Sequence, residues 1–143
     1  MDYIISESTE EENEIIWKGI LAYNSENPKV KSIKQGNNMI NRVLKNQENN
    51  IIGGIKTVLS YHFSTLYVDL LWIDKDYRRK GYGSILMEFV EKIAIEQKCT
   101  IVYLETDFRA KDFYIKNGYE IFGRLDDVPP GYVRYYMKKS LST

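Results

Sequence analysis

The sequence predicts an α/β (α+β) fold: a mixed, mostly antiparallel sheet of six to seven strands with three to four helices packed on it. Three observations predict it. The apolar run 66–73 leads into the basic glycine turn Arg78-Arg79-Lys80-Gly81-Tyr82-Gly83-Ser84, which opens an amphipathic stretch continuing to Lys98, so the order is strand, turn, helix. Residues 100–105 read as the next strand, and the right-handed crossover rule makes it parallel to the first. Elsewhere, short turn-rich connections join strand-like runs, which makes those pairs antiparallel.

Taken in order, Tyr3-Ile4-Ile5 is a short apolar start read as a strand, and Ser8 or Thr9, each with a glutamate three residues on, reads as a helix N-cap with its capping box. Ile15, Ile16, Gly19, Ile20 and Tyr23 form the face of that helix, which Asn27-Pro28 closes. Residues 29–38 read as a loop with one helical turn. Residues 39–46 and 51–61 read as a hairpin around Gln47-Glu48-Asn49-Asn50, with Gly53-Gly54 marking a bulge or a close backbone approach. In run 66–73, Leu66, Val68, Leu70 and Trp72 share one face, and Tyr67, Asp69, Leu71 and Ile73 share the other. Ile85, Leu86, Phe89, Val90, Ile93 and Ala94 make the stripe of the next helix. A shorter helix over 109–117 stops at Gly118, and strands 119–125 and 132–138 flank Asp126-Asp127-Val128-Pro129-Pro130-Gly131.

The 143 residues suit one domain, 1–143. Lys plus Arg and Asp plus Glu number 20 each, so no global field draws a nucleic acid or an anionic membrane. The single cysteine, Cys99, excludes an intrachain disulfide and suits a reducing, cytoplasmic setting. No apolar run approaches the ~18–20 residues of a membrane span. His62 stands alone, without the Cys or second His that would suggest a metal site.

The glycine turn is the richest signal. Gly81 and Gly83 let the backbone turn and approach a ligand, the unpaired N–H groups of a helix start favour a phosphate, and Arg78, Arg79 and Lys80 add charge at the same place.

With these motifs placed, the chain resembles the GNAT superfamily of acyl-CoA N-acyltransferases over nearly its whole length. Residues 73–84 fit that family's strand end, spacer and Arg/Gln-x-x-Gly-x-Gly/Ala signature, and Ala110-Lys111-Asp112-Phe113-Tyr114-Ile115-Lys116-Asn117-Gly118-Tyr119 looks like its Ala-x-x-Phe-Tyr-x-x-x-Gly-Phe/Tyr segment. The resemblance implies acetyl-CoA as donor, no metal, a primary amine as acceptor (a small molecule before a protein), and a monomer or homodimer. It implies a central parallel pair that splays, with pantetheine along Leu71, Trp72 and Ile73 and pyrophosphate on the N–H groups of residues 79–84. Acceptor pockets in such folds come from the first helix and its following loop, here 17–38, and from the last hairpin, here 126–132. Asp107 stands where many relatives have an Asn that contacts pantetheine or its neighbourhood, and Tyr67 stands where many have a glutamate base.

Acetyl transfer to an amine needs a neutral nucleophile, a stabilised oxyanion and a protonated leaving thiolate. Tyr114 is the candidate acid, its reference pKa of ~10 nearly matching a thiol; the alternative is a packing tyrosine. Asp69 is the first candidate base, expected to be buried with raised proton affinity, or else a structural carboxylate. Glu105 is the second, and main-chain N–H groups at Leu71 or Ile73 are candidates for the oxyanion. Tyr132, beside the Pro-Pro-Gly turn, is the tyrosine placed to line an acceptor pocket, and Asp126-Asp127 either attract a cationic amine or simply solvate the turn.

Two rivals stand beside this reading. A dinucleotide fold shares the strand, Gly-x-Gly and a later acid, Glu105, but its third glycine is Leu86 here, and seven residues separate Ile73 from Gly81 where that turn is tight. A non-catalytic acyl-CoA sensor is motivated by Asp107 and Tyr67.

Overall fold

The computed structural model describes residues 2–31 and 36–141, which fall into two compact units divided between residues 34 and 35. The first unit holds α1 (Glu10–Ser25) and α2 (Pro28–Lys31). Thr9 caps α1: its hydroxyl accepts from the Glu12 N–H at 3.1 Å while the Glu12 carboxylate accepts from the Thr9 N–H at 3.0 Å. Two of the orphan donors of the helix start are thereby satisfied, and Glu10, Glu11 and Glu12 complement its positive end. The strand expected at residues 3–5 does not form, since Tyr3, Ile4 and Ile5 are exposed and pair with no strand among the described residues. Four of the ten residues expected as a loop, 32–35, lie outside the described residues.

The second unit is a six-stranded sheet of β1 (Asn37–Lys45), β2 (Ile51–Ser60), β3 (Thr65–Ile73), β4 (Ile101–Thr106), β5 (Glu120–Asp126) and β6 (Val133–Ser140). Its spatial order is β1-β2-β3-β4-β6-β5, and only the β3–β4 pair is parallel. The parallel pair follows from the crossover through α3 (Tyr82–Glu96). That helix lays Leu86, Met87, Val90 and Ala94 on Ile40, Ile55, Leu59, Leu66 and Val68. The shorter α4 (Lys111–Lys116) adds Tyr114 to the same core, and Gly118, at φ +91°, ends it as a left-handed residue after Asn117.

One irregularity decides the site. In the β2–β3 ladder Lys56 faces Leu70 and Thr57 faces Val68, so Asp69 is an extra residue, a β-bulge. A one-residue slip exchanges the faces of everything beyond it. Leu66 and Val68 are buried as expected, but Leu70 and Trp72 are exposed, while Leu71 and Ile73 pack against the core. The single alternating face inferred from the sequence therefore breaks at Asp69. Asp69, expected to be buried, is exposed for the same reason.

The glycine pair at 53–54 is a close approach beside a bulge. A Cβ on Gly53 would stand 2.6 Å from the Ile73 side chain and 2.9 Å from the Trp72 carbonyl oxygen, and the β1–β2 register slips next to it, between Leu44 and Lys45.

Candidate active site

The bulge sits at the point where two strands separate. β3 and β4 pair from Thr65–Ile101 to Val68–Leu104 and no further; β4 then runs on against β6 alone, and β3 against β2 alone. The β4-facing backbone of residues 69–73 consequently has no strand partner. The wedge holds a cavity of about 790 Å³ lined by Asp69, Leu71, Glu105, Asp107, Tyr114 and Arg134 among others. A second cavity of about 550 Å³ shares Leu71, Ile73, Arg78, Arg79, Phe113 and Tyr114 with it and continues to Gly81, Tyr82, Gly83 and Ser84 at the start of α3. The two form one trough from the sheet wedge to the helix N-terminus.

The geometry of that N-terminus suits an anion. Its N-cap is Gly81, at φ +86°, which has no side chain to satisfy the first N–H groups of α3. Arg79, two residues earlier, is also left-handed at φ +61°. Alternating backbone handedness turns successive N–H groups into one concavity, an arrangement that favours phosphate. No acidic residue occupies the first turn. Arg78 closes the approach by donating from Nε to the Ile73 carbonyl at 2.9 Å, so this side chain ties the strand end to the loop.

Gly83 serves a different purpose from the one its sequence context suggests. A Cβ there would lie 3.0 Å from the Phe113 ring, so the glycine lets α4 close on the first turn of α3. Lys80 does not line the trough; its ammonium rests 5.6 Å above the Tyr77 ring. Lys116, which the sequence did not single out, lines the second cavity instead.

Tyr114 lines both cavities and is buried, with its ring edge-on to Phe113 at 5.0 Å and to Tyr119 at 5.7 Å. Burial pushes its phenol up to about 12, so the near match with a thiol expected from its ordinary value does not hold. Complete proton loss to a thiolate is uphill by roughly 3–5 kcal/mol on that scale. Tyr114 is suited to donate a hydrogen bond to a developing negative charge while keeping its proton.

Glu105 lies opposite Tyr136 in the β4–β6 ladder, and hydrogen bonding to its carboxylate holds the Tyr136 phenol above its ordinary range. Arg134 approaches Glu105 at 3.6 Å. The Tyr67 ring meets that of Tyr103 at a tilt of 46°, centroids 5.0 Å apart, and burial, followed by the charges of Glu105 and Asp69, raises its phenol as well. A phenol so raised holds its proton, so Tyr67 is no substitute for a carboxylate base. Glu105 and Asp69 both line the wedge and both act on Tyr67.

Asp107 is committed to its neighbour. It accepts from the Arg109 backbone N–H at 2.9 Å, from Arg109 Nε at 3.1 Å and from Nη2 at 2.6 Å, and the side-chain hydrogen bonds from Arg109 hold its carboxyl below the usual range. The turn acids are likewise occupied: Asp126 pairs with Arg124 at 2.8 Å, and Asp127 accepts from the Gly131 N–H at 3.1 Å. Tyr132 and Phe108 stand nearly parallel, 14° apart with centroids at 6.3 Å, in a side cavity of about 430 Å³ that shares Asp107, Arg109 and Arg134 with the wedge. Phe108 and Arg134 carry no motif in the sequence. The one available signal for them was their place, just past the end of β4 and at the start of β6, where a splayed sheet opens.

Among the described residues, no group of three or more His, Cys, Asp or Glu side chains is arranged to hold a metal ion, and no helix is long and apolar enough to cross a membrane.

Comparison with known proteins agrees with this geometry. Over 97% of this chain and 98% of the other, the structure matches an acetyltransferase from Bacillus cereus ATCC 14579 with a TM-score of 0.82 and 33% identity. A structure of a streptothricin acetyltransferase of Bacillus anthracis str. Ames, described as putative and solved in complex with acetyl coenzyme A, matches at 25% identity and a TM-score of 0.66, over 79% of this chain and 68% of that one. In sequence, the chain is 40% identical over 78 residues to the blasticidin-S acetyltransferase of Streptomyces morookaense; the match takes in 53% of this chain and just over half, 57%, of that relative's length. The model of the Acetyltransferase (GNAT) family matches residues 7–119, which is most of the sequence, and the chain belongs to that family.

Proposed function

We propose that the protein is an acetyl-CoA-dependent N-acetyltransferase whose acceptor is the primary amine of a small molecule. The observation that carries this reading is the continuous trough joining the splayed β3–β4 wedge to the uncapped start of α3. One end suits an extended amide-bearing chain, because the free edge of residues 69–73 offers backbone donors and acceptors as a sheet edge does to an added strand. The other end suits a pyrophosphate on the N–H groups of residues 79–84, with Arg79 beside it. Family relatives named for blasticidin-S and streptothricin support a small-molecule amine over a protein.

Bound acetyl-CoA would supply the thioester. Leu71, Trp72 and Ile73 hold the pantetheine by their main chain, and an N–H of Leu71 or Ile73 faces the carbonyl oxygen as it gains charge, a contact worth ~2.7–4 kcal/mol where such donors have been removed in other enzymes. Glu105 accepts the proton released by the attacking amine, directly or through water, with Asp69 as the second carboxylate of the same wedge. Tyr114 donates a hydrogen bond to the departing sulfur, which leaves as a thiolate and takes its proton from solvent, into which Glu105 releases the one it received from the amine. Arg78 and Asp107 act by positioning, the first through the Ile73 carbonyl and the second through Arg109.

Acetyl-CoA at ~100 times its Kd should add ~2.7 kcal/mol of stability, seen as a rise in melting temperature of several degrees. Thiol release with a panel of small amines should follow. A melting shift with NAD and none with acetyl-CoA would reverse the donor, and a shift with no acceptor in any class would favour the sensor reading.

A further inference from the structure

We infer that the acceptor is a zwitterion: an amine that carries a carboxylate on a nearby carbon and a flat, largely apolar group beyond it, bound by Glu105, Arg134 and the Phe108–Tyr132 cavity. This rests on the acetyltransferase reading and names the substrate class of that same site.

Arg134 is the starting point. It stands at the boundary between the wedge and the side cavity and lines both. Its guanidinium carries five N–H donors. Its ion pair, to Glu105 at 3.6 Å, is longer than a hydrogen bond, and among the described residues its side chain makes no hydrogen bond. With the side chains of both partners only about one-third exposed, water does not fully serve those donors. By contrast, Arg109, the other guanidinium that lines both cavities, is saturated on one edge by Asp107. An arginine fork left open beside the reacting position is suited to a planar anion, bound bidentately.

The loose pair then has a second meaning. An ammonium entering the wedge is drawn to Glu105, and a carboxylate on the same molecule is drawn to Arg134. Because those two protein charges are neighbours, the two ligand charges must be neighbours too. A polycation with no anion would instead place its surplus charge against Arg134, a like-charge contact that costs affinity.

The side cavity sets the remaining part. At about 430 Å³ it is walled by Phe108, Val128, Pro129 and Tyr132, with the two aromatic rings nearly parallel and each more than half exposed. Exposed aromatic faces in a ligand-sized hollow next to a charged pair favour a flat ring that stacks on them. The turn that carries Tyr132 is fixed by the Asp127–Gly131 hydrogen bond and by the Tyr132 N–H to Pro129 carbonyl bond at 2.9 Å, so the platform is preformed.

The test uses the full chain with saturating acetyl-CoA and measures thiol release with L-tryptophan, L-tryptophanamide, L-alanine and spermidine. We expect kcat/KM for tryptophan to exceed that for its amide by roughly 10- to 100-fold, the weight of a hydrogen-bonded charge pair, and to exceed that for alanine through the ring. Arg134→Gln should bring the acid and the amide to similar values by lowering the acid. Arg134→Lys, which keeps the charge without the fork, should retain part of the preference, and Tyr132→Ala should narrow the gap between tryptophan and alanine by raising KM for tryptophan. The acetyl-CoA melting shift, measured first, reads the donor reaction separately and reports that each variant is folded. If that shift is present and the wild type treats acid and amide alike, or acetylates spermidine and no amino acid, or turns over none of the four, the inference is wrong. If acetyl-CoA gives no shift, the donor reading falls and takes this inference with it.

Discussion

At the scale of single residues, Tyr114 carries two predictions that separate its chemistry from its packing. Replacing it with Phe removes only the hydroxyl, so the ring contacts with Phe113 and Tyr119 remain. The kcat should fall roughly 10- to 100-fold, the weight of one hydrogen bond to a charged group, while the acetyl-CoA melting shift persists; full kcat with a good acceptor would remove Tyr114 from the reaction. The second prediction concerns pH. A phenol raised from its ordinary value to about 12 by burial contributes stability that is fully present below pH ~10 and is lost as pH rises toward ~12, a swing of about 2–3 kcal/mol. Urea midpoints at pH 9.5 and 11.5 should therefore diverge more in the wild type than in Tyr114→Phe. Tyr119, raised in the same direction first by burial and then by its bond to Glu91, leaves a residual slope in the variant. Residue identity alone pointed to Tyr114 but not to its proton affinity, because burial is a property of the neighbours. Asp69 shows the opposite failure: its strand position was legible, but alternation placed it in the interior, and a single extra residue in the ladder turned it out.

At the scale of elements, the two glycines of the turn make different demands and should fail differently. Gly81 is left-handed, and a Cβ there meets nothing within 4 Å, so Gly81→Ala strains backbone alone and costs about 1–2 kcal/mol. That strain falls on the N–H groups at the start of α3, and the Kd for acetyl-CoA should rise roughly tenfold, about one charge-assisted hydrogen bond, with kcat at saturating donor little changed. Gly83→Ala sets a methyl 3.0 Å from Phe113, whose ring abuts Tyr114, so it should cost ~1–3 kcal/mol by overpacking and lower kcat as well. Calorimetry for Kd and steady-state rates for kcat distinguish the two, and identical effects would mean that the assigned division of labour is wrong. The Gly-x-Gly pattern disclosed a tight turn before a helix. It could not disclose that one glycine answers a dihedral angle and the other a neighbouring helix. The hairpins, the crossover and both motif-bearing helices were legible because each rests on local periodicity and turn chemistry. The bulge, the wedge and the side cavity arise from register between segments far apart in sequence, which no local pattern encodes.

At the scale of the molecule, the sheet unit is tied across its layers by one buried polar knot. Glu91 on α3 is 7% exposed; it accepts from the Tyr119 hydroxyl at 2.6 Å and from Lys139 Nζ at 3.1 Å, and the same ammonium donates to the Asn117 carbonyl at 3.1 Å. The knot joins α3, the end of α4 and β6, the elements that frame the trough from behind. Burying a carboxylate is costly unless it is paired, and removing one partner leaves the penalty without the compensation. The Lys139 side chain is about one-third exposed, so solvent screens part of the effect. Lys139→Met should therefore destabilise by roughly 1–3 kcal/mol, a fall of several degrees in melting temperature for a chain of this size. Replacing both charges, Glu91→Met with Lys139→Met, removes the buried carboxylate together with its partner, leaving the Tyr119 hydroxyl and the Asn117 carbonyl as the groups still to be satisfied. The double variant should be less destabilised than Lys139→Met alone, a non-additivity that double-mutant analysis of thermal unfolding measures directly. A double variant as unstable as the sum of the single changes would mean that Glu91 and Lys139 do not couple, and that the Tyr119 hydroxyl rather than the ammonium compensates the buried carboxylate.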